Sequence, residues 1–167
     1  MSWPTTDESE LRPAMVRSLL AAIYQLRLLD EIREKLGATY TPNAISFASD
    51  TYAGFGHMTA VAPAEPAQMD LVAQTMKSIA AGLAASPPDA DEVLRARNPM
   101  LEQFQRQERQ NGAWTGVVTE AQSDPAGLDR RRERRAVLES ITPAELQAAA
   151  QRWFAGTPLE IRVLPQE

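Results

Sequence analysis

Arg33 and Tyr40 are the two residues whose types and spacing could do chemistry on a ligand. An arginine presents five fixed N–H donors and a tyrosine one hydroxyl. If the chain between them brings both side chains to one side, they can hold a carbonyl group or a developing oxyanion. The structural alternative is that Arg33 complements the negative end of a helix and Tyr40 is an ordinary strand aromatic.

A helix, a glycine exit and a strand must position these two residues. Apolar residues repeat at intervals of three and four before Arg33, which predicts a long amphipathic helix with one buried face. The residues of this stripe are Met15, Leu19, Ala22, Leu26 and Leu29. Gly37 can adopt the left-handed conformation that ends helices. Residues 39–49 and 52–62 are candidate strands, and Ser49 with Asp50 is a candidate tight turn between them.

The sequence contains no His-x-x-Glu-His motif, no cysteine and a single histidine, His57. A catalytic zinc site normally takes three protein ligands and keeps one open position. One histidine without a second on the same helix face cannot supply that set. We therefore predict that this chain binds no metal and that His57 is a structural group.

Several segments, in their order and spacing, resemble a known family. They are SWPTTD at the start, DEIREKLGATYTP from position 30, YAGFG, DADEVLRARNPMLEQ, RQNGAW and SITPAELQAAAQRWF near the end. Together they look like the C-terminal half-domain of the pitrilysin/insulinase-type zinc metallopeptidases, which are the inverzincins. The resemblance covers nearly the whole chain and is to a bacterial member.

The resemblance implies a function for the whole chain and for its two candidate residues. Zn²⁺ would be held in the intact enzyme by an N-terminal half or a partner subunit, and none by this chain. This half would close a chamber over an unfolded peptide, with Arg33 and Tyr40 reaching toward the substrate. The chain alone would then have no peptidase activity. The alternative is a non-catalytic structural or partner subunit of the same family.

Composition and charge bound the remaining possibilities. A chain of 167 residues with 44% hydrophobic and 23% charged residues suggests one soluble domain over residues 1–167. A net charge of −5 gives no general reason to bind nucleic acid. No apolar run approaches the length of a membrane span. Many bacterial members of the family are exported, so the resemblance implies a periplasmic location, with the cytoplasm as the alternative.

One basic run and one sheet edge suggest further contacts. The sequence RRRERR at positions 130–135 could be a nucleic-acid patch, but Glu133 interrupts it, which favours a solvated helix face or a contact with the partner half. A stand-alone helical binding module using this run is the weaker alternative. In the family a strand leads into the SWP segment, so the first strand is expected to be truncated. The exposed edge would then invite self-association.

The order of elements predicts an α+β fold: an antiparallel or mixed sheet, made of a hairpin and a C-terminal strand at residues 159–164, covered by several helices. Capping boxes are expected at Asp89 with Glu92 and at Thr142 with Glu145, and also near residues 5–10. Pro99 is expected inside a helix. Trp114 is expected in the core, after a helix break.

Overall fold

The computed structural model describes residues 1–7, 9–35, 41–49 and 51–164, with the backbone alone for residues 33–35. Within these ranges the predicted α+β fold is confirmed: six α-helices accompany a three-stranded antiparallel sheet of order β1-β3-β2. The strands are β1 (Ser2–Thr5), β2 (Asn43–Ala48) and β3 (Gly56–Val61). The helices are α1 (Leu11–Leu28), α2 (Met69–Ala85), α3 (Ala90–Glu108), α4 (Asn111–Glu120), α5 (Ala126–Ser140) and α6 (Pro143–Trp153).

Helix α1 lies at the centre of the molecule, between the sheet and helices α2, α3, α5 and α6. The predicted stripe is only partly correct. Leu19 is buried, but the other four stripe residues, Met15, Ala22, Leu26 and Leu29, are half-buried. The fully buried residues of α1 spread over a wider face that includes Leu20, Ile23 and Tyr24. A helix that is apolar on most of its circumference is stable only inside a core. The other helices therefore fold around α1, and α1 fixes where the sheet sits.

An aromatic cluster joins the first strand, the central helix and the end of the last helix. Trp3 contacts Phe154 edge-on at 5.0 Å between ring centroids and Tyr24 at 5.8 Å. Such edge-to-face pairs stabilise beyond the area they bury. The Tyr24 hydroxyl donates a hydrogen bond of 2.8 Å to the carbonyl oxygen of Met76, which ties α1 to α2. Burial raises the pKa of Tyr24, so the phenol stays protonated as a donor.

The predicted hairpin is present, but its connection is longer than a tight turn. The loop runs from Ser49 to Phe55 and is closed by a hydrogen bond of 2.9 Å from the Ser49 N–H to the Phe55 carbonyl; Asp50 lies outside the described residues. The Ser49 hydroxyl accepts hydrogen bonds from the backbone N–H groups of Thr51 and Tyr52. Gly54 has a φ of 72°, which disfavours any other residue there. The loop therefore replaces the last residue of the first predicted strand, Ser49, and the first four residues of the second, residues 52–55.

The start of α1 differs from the predicted capping box. Glu10 occupies the cap position without a side-chain hydrogen bond, and Glu8 lies outside the described residues. The Asp7 carboxylate instead accepts hydrogen bonds from Ser9 and from the Gly54 N–H across the hairpin loop. The segment is also held by Arg17, 2% exposed, which donates to the carbonyl oxygens of residues 6 and 7.

The C-terminal segment reaches the sheet at one residue. Ser2 and Leu159 exchange two backbone hydrogen bonds of 2.9 Å each, and the expected strand at residues 159–164 is reduced to this bridge. Strand β1 spans Ser2–Thr5, and Ser2 is the residue of β1 that pairs with this segment. Beyond Leu159 the segment is held by ion pairs with α2, from Glu160 to Lys77 and from Arg162 to Asp70.

Local helix signals agree with the structure, and one core assignment does not. Both later capping boxes are present, with Asp89 opening α3 and Thr142 opening α6, and Pro99 lies inside α3. The prediction that Trp114 belongs to the core is wrong, because this side chain is 37% exposed on α4. Its indole N–H donates to the carbonyl oxygen of Glu108, which fixes the ring at the surface. None of the described helices has the length and hydropathy of a membrane span.

We expect Tyr24→Phe to lower the free energy of unfolding by about 1 kcal/mol, because it removes one buried hydrogen bond and no aromatic packing. The corresponding decrease in Tm is about 2–4 °C for a chain of this size. Tyr52→Phe is the matched control, since Tyr52 is 71% exposed. Urea unfolding followed by circular dichroism measures both variants. Equal stability of the two variants would contradict the role given to the Tyr24 hydroxyl.

Candidate functional site

The structure places the backbone of Arg33 but not the pairing of Arg33 with Tyr40. Arg33 lies in a π-helical segment, Leu29–Lys35, that continues α1, and within it Ile32 is buried. The side chain of Arg33 and the whole of Tyr40 and Gly37 lie outside the described residues. The approach of the two groups therefore stays a prediction. What the structure does show is how the segment that carries them is held at both ends.

At the upstream end, an ion pair fixes the last turn of α1. The Arg27 guanidinium donates two hydrogen bonds to the Glu92 carboxylate, Nε to Oε1 at 2.8 Å and Nη2 to Oε2 at 2.9 Å. Glu92 also accepts a bond from the Asp89 N–H as part of the capping box of α3. The Arg27 guanidinium is the main cause of a lowered pKa at Glu92, and the cap N–H adds to it against the opposing effect of burial.

At the downstream end, one glutamine side chain holds the entry to β2. The Gln25 amide donates to the Pro42 carbonyl oxygen at 2.7 Å, and its Oε1 accepts a hydrogen bond from the Ala44 N–H. Gln25 thus bonds to the backbone as a neighbouring strand would. The sequence analysis did not identify Gln25. The available signal was that it is the one amide side chain of the largely apolar helix α1.

The two anchors are two residues apart on the same helix. Arg27 holds the start of the segment through Glu92, and Gln25 holds its end through Pro42 and Ala44. The chain therefore leaves α1 after Leu28 and returns beside it within about a dozen residues. The connection between α1 and β2, which includes residues 33–40 and which we call the bridge, is thus fixed to α1 at both of its described ends.

The sheet has one covered face and one open face. Trp3, Met58 and Ala60 point into the helical layer and are buried. On the other side the exposed or half-buried residues form what we call the open face: Ile45, Phe47, Phe55, His57 and Val61. The His57 imidazole lies 5.1 Å from the Phe47 ring and 6.2 Å from the Phe55 ring, between centroids. His57 is thus one member of an aromatic row on this face.

Strand β2 forms one edge of the sheet, and part of its backbone is unpaired within the described ranges. Ala60 of β3 exchanges its backbone hydrogen bonds with Met1. Its N–H and C=O groups therefore do not bond to Ala44, the residue opposite it in β2. Antiparallel pairing alternates, so Ser46 and Ala48 likewise direct their N–H and C=O groups away from β3. Such an edge is a template on which an extended peptide can add as a strand.

No group of three or more histidine, cysteine or acidic side chains that could hold a metal ion occurs among the described residues. A catalytic zinc ion requires about that number of protein ligands. These residues therefore do not fit a zinc site.

The basic run at positions 130–135 lies on α5 and is largely engaged by other groups of this chain. Arg130 pairs with Asp124, Arg132 with Asp129 and Arg135 with Glu139. Arg131 and Arg134 face the C-terminal end of α3 instead.

These last two arginines cap α3. Arg131 donates to the Gln107 carbonyl oxygen, and Arg134 donates to the Gln107 side chain. Their guanidinium groups lie over the rings of Trp114 and Phe104, at 4.5 and 4.1 Å from the centroids. Burial, aided by the charge of Arg131, lowers the pKa of Arg134. The arginines of this run thus mostly bind other groups of the same chain, which argues against their interpretation as a nucleic-acid patch.

Comparison with known proteins gives matches among solved structures. No family model and no curated protein matches this sequence. The periplasmic protease PqqL from Escherichia coli superposes with a TM-score of 0.71 at 15% identity, over 92% of this chain and 17% of that one. The inactive peptidase domain of a candidate zinc protease from Bordetella parapertussis gives 0.72 at 16% identity, over 92% and 82% of the two chains.

A peptidase M16 inactive domain from Pseudomonas fluorescens has a TM-score of 0.63 at 16% identity, over 91% of this chain and 36% of that one. The chain therefore has the fold of M16-type peptidase domains, and the predicted resemblance is confirmed at the level of the fold. It spans about a sixth of PqqL and about a third of the Pseudomonas protein.

We expect Glu92→Gln to destabilise the protein at neutral pH by about 1.5–3 kcal/mol, because it weakens hydrogen bonds to a charged group. The lowered pKa of Glu92 means that its carboxylate stabilises the fold above the ordinary glutamate pKa of about 4.3. That contribution disappears as the pH falls through the lowered value. The difference from wild type should therefore shrink between neutral pH and about pH 3.

Urea unfolding at both pH values measures this difference. Glu102→Gln is the matched control, because Glu102 forms an exposed pair with Arg106 on the same helix and such pairs contribute little. A deficit in Glu92→Gln that is unchanged at low pH would contradict the assignment.

Proposed function

We propose that this chain is the substrate-binding, chamber-closing half of a zinc-dependent endopeptidase and is inactive by itself. The observation that carries the proposal is the one-sided sheet: helices cover one face, while the other exposes an apolar and aromatic surface beside a free strand edge. The fold shared with M16-type peptidase domains supports it. So does the fact that the chain spans only part of several of those proteins.

In this proposal the metal chemistry belongs to another half-domain or subunit. Zn²⁺ there would polarise a water molecule or the scissile carbonyl, and a glutamate there would act as the base. The described residues of this chain supply no ligand set, so its contribution is to bind and orient the peptide. Arg33 and Tyr40 would donate hydrogen bonds to the substrate main chain or to the tetrahedral intermediate.

The open face and the β2 edge suit an unfolded peptide. An extended chain adding to β2 would place alternate side chains over Phe47 and Ile45, while its backbone pairs with Ser46 and Ala48. Arg33 and Tyr40 precede β2 in the chain, and in this proposal a peptide on this edge would run near them. The proposed partners are thus a zinc-bearing half and an unfolded peptide. We place the protein in the periplasm by analogy with PqqL.

A non-catalytic role is the second candidate, and one observation favours it. Two of the matching structures are described as inactive peptidase domains. In that case the same surfaces would hold a partner subunit, and Arg33 and Tyr40 would have no part in turnover. The whole protein to which the chain contributes decides between the two, through the presence of a His-x-x-Glu-His half.

We expect Arg33→Ala and Tyr40→Phe, each made in the enzyme that contains this chain and a zinc-bearing half, to lower kcat on fluorescein-labelled casein. Loss of one oxyanion donor costs about 2.7–4 kcal/mol, or roughly 100- to 1,000-fold in kcat. Bound zinc, measured by metal analysis, should stay at the wild-type level.

Arg132→Ala and Tyr52→Phe are the matched controls, since both side chains are exposed. Wild-type turnover in both Arg33→Ala and Tyr40→Phe would remove the role given to these residues. Hydrolysis of the casein by the 167-residue chain alone with added zinc would overturn the proposed division between the halves.

A further inference from the structure

A cleft of about 860 Å³ opens between helix α5 and the loop of the β2–β3 hairpin. Its lining also includes the first turns of α1 and parts of α3 and α4. A volume of this size lies within the range of small-molecule pockets in proteins. The hairpin loop follows β2, whereas the bridge precedes it, so the cleft adjoins the opposite end of this strand.

Two arginines that line the cleft have no acidic partner in an ion pair. Arg130 is paired with Asp124, but Arg131 and Arg134 form no ion pair with any residue that the structure describes. The charge of Glu108 acts on Arg134 without such a pair. Positions 131 and 134 are neighbours on one face of a helix. The cleft thus holds two adjacent positive charges that the described residues do not neutralise by direct contact.

Most hydrogen-bond donors of these two side chains are not used by the described residues. A guanidinium has five N–H donors. Arg131 donates to the Gln107 carbonyl oxygen at 3.4 Å, and Arg134 donates to Gln107 Oε1 at 3.0 Å and to the Phe104 carbonyl oxygen at 3.5 Å. Two of these lengths exceed the usual N–H···O range. The Nε atoms of both arginines are buried and find no acceptor among these parts of the chain, which costs free energy.

The two guanidinium groups are held in place by their surroundings. That of Arg131 lies 4.5 Å from the ring centroid of Trp114, and that of Arg134 lies 4.1 Å from the ring centroid of Phe104. Little further ordering is therefore needed when a ligand binds. Burial, and then the charge of Arg131, lowers the pKa of Arg134, as expected for cations close enough to repel each other. An anion beside them would relieve that repulsion.

The acidic residues of the lining limit the charge of the anion. The charged residues around the cleft are three acids and three arginines: Asp7, Glu120, Asp124, Arg130, Arg131 and Arg134. Their balance leaves no surplus of positive charge to offset the large desolvation cost of a dianion such as phosphate. A single carboxylate has a smaller cost, and its two oxygens match the planar fork of a guanidinium.

Apolar side chains form much of the remaining lining. They come from α1, α3 and α4 and are Leu11, Ala14, Met15, Phe104 and Val117. In small-molecule sites such side chains bury the body of the ligand, while a few polar groups fix its orientation. The lining therefore suits a ligand with an apolar body and one anionic end.

We propose that this cleft binds a monocarboxylate with an apolar body, whose carboxylate is held by Arg131 and Arg134 and whose aliphatic or aromatic part contacts Met15 and Phe104. A free carboxylic acid and the C-terminal residue of a peptide share this chemistry. The site uses neither the β2 edge nor residues 33–40, so it goes beyond the function proposed above and does not depend on it.

The test titrates the 167-residue protein with two acids, 3-phenylpropionate and N-acetyl-phenylalanine, in two-dimensional amide NMR. Each acid has a neutral amide as its matched control. We expect a Kd of about 1 mM for the acids, which is ordinary for ligands of this size. The amides should bind at least about fivefold more weakly, as for loss of a partly exposed ion pair. Phenyl phosphate should bind more weakly than 3-phenylpropionate.

The position of the shift changes and the order of the two acids carry further information. The changes should concentrate at Phe104, Val117, Arg131 and Arg134. Tighter binding of N-acetyl-phenylalanine would indicate a peptide C-terminus as the source of the carboxylate, and tighter binding of 3-phenylpropionate would indicate a free acid. Either order supports the proposed site.

Three variants of α5 test the arginine pair. Arg131→Gln and Arg134→Gln should each weaken binding of the acids by about two- to tenfold and leave binding of the amides unchanged. Arg132→Gln is the matched control, because Arg132 is exposed, pairs with Asp129 and is not part of the lining. Circular dichroism melting checks that each variant is folded. Should Arg134→Gln fail to fold, Arg131→Gln and the acid–amide comparison in the wild type still decide the question.

Four outcomes would overturn the proposal. They are no binding of either acid up to about 10 mM, equal affinity for the acids and their amides, tighter binding of phenyl phosphate than of 3-phenylpropionate, and shift changes centred on the open face. Wild-type affinity in both Arg131→Gln and Arg134→Gln would also contradict it. These measurements involve no peptide hydrolysis, so their failure leaves the roles proposed for Arg33 and Tyr40 untouched.

Discussion

The burial of α1 on most of its circumference is the constraint on which the rest of the structure depends. Four other helices and the sheet reach their positions by packing against this one element. The contact of Tyr24 with Trp3 and Phe154 joins it to both ends of the chain, so residues far apart in sequence are fixed by one cluster of rings. Loss of packing at that point would loosen the sheet and the C-terminal helix together, since Trp3 and Phe154 both contact Tyr24.

The candidate site inherits its geometry from this helix. Gln25 and Arg27 sit two residues apart, and each uses a planar side chain with two polar atoms to bind a different element, β2 and α3. Neither side chain does chemistry in our proposal. Their effect is that the bridge between the helix and the edge strand begins and ends at fixed points. A surface that receives a flexible peptide benefits from such rigid surroundings, because less ordering is then required on binding.

Sequence reasoning succeeded where the determining interaction is local. The boxes at Asp89 and Thr142 are set by residues three apart, and the α+β order follows from periodicity. It failed where a distant partner decides. Trp114 is held at the surface by Glu108 and Arg131. The segment after Leu159 pairs with β1 only at Ser2 and is held by ion pairs with α2. The role of Gln25 was missed for the same reason, because its partners Pro42 and Ala44 lie beside it only in the folded chain. The pairing of Arg33 with Tyr40 stays a prediction.

The anchoring of both ends of residues 33–40 to one helix has a consequence for how this region can change over time. Because Gln25 and Arg27 hold the described ends on either side of residues 36–40, we expect exchanges confined to that stretch to alter neither the direction of α1 nor the register of β2. The sequence of this part of the bridge can then change while its two anchored ends stay in place. A scaffold of this type can acquire, retune or lose an activity without first having to solve the problem of remaining folded.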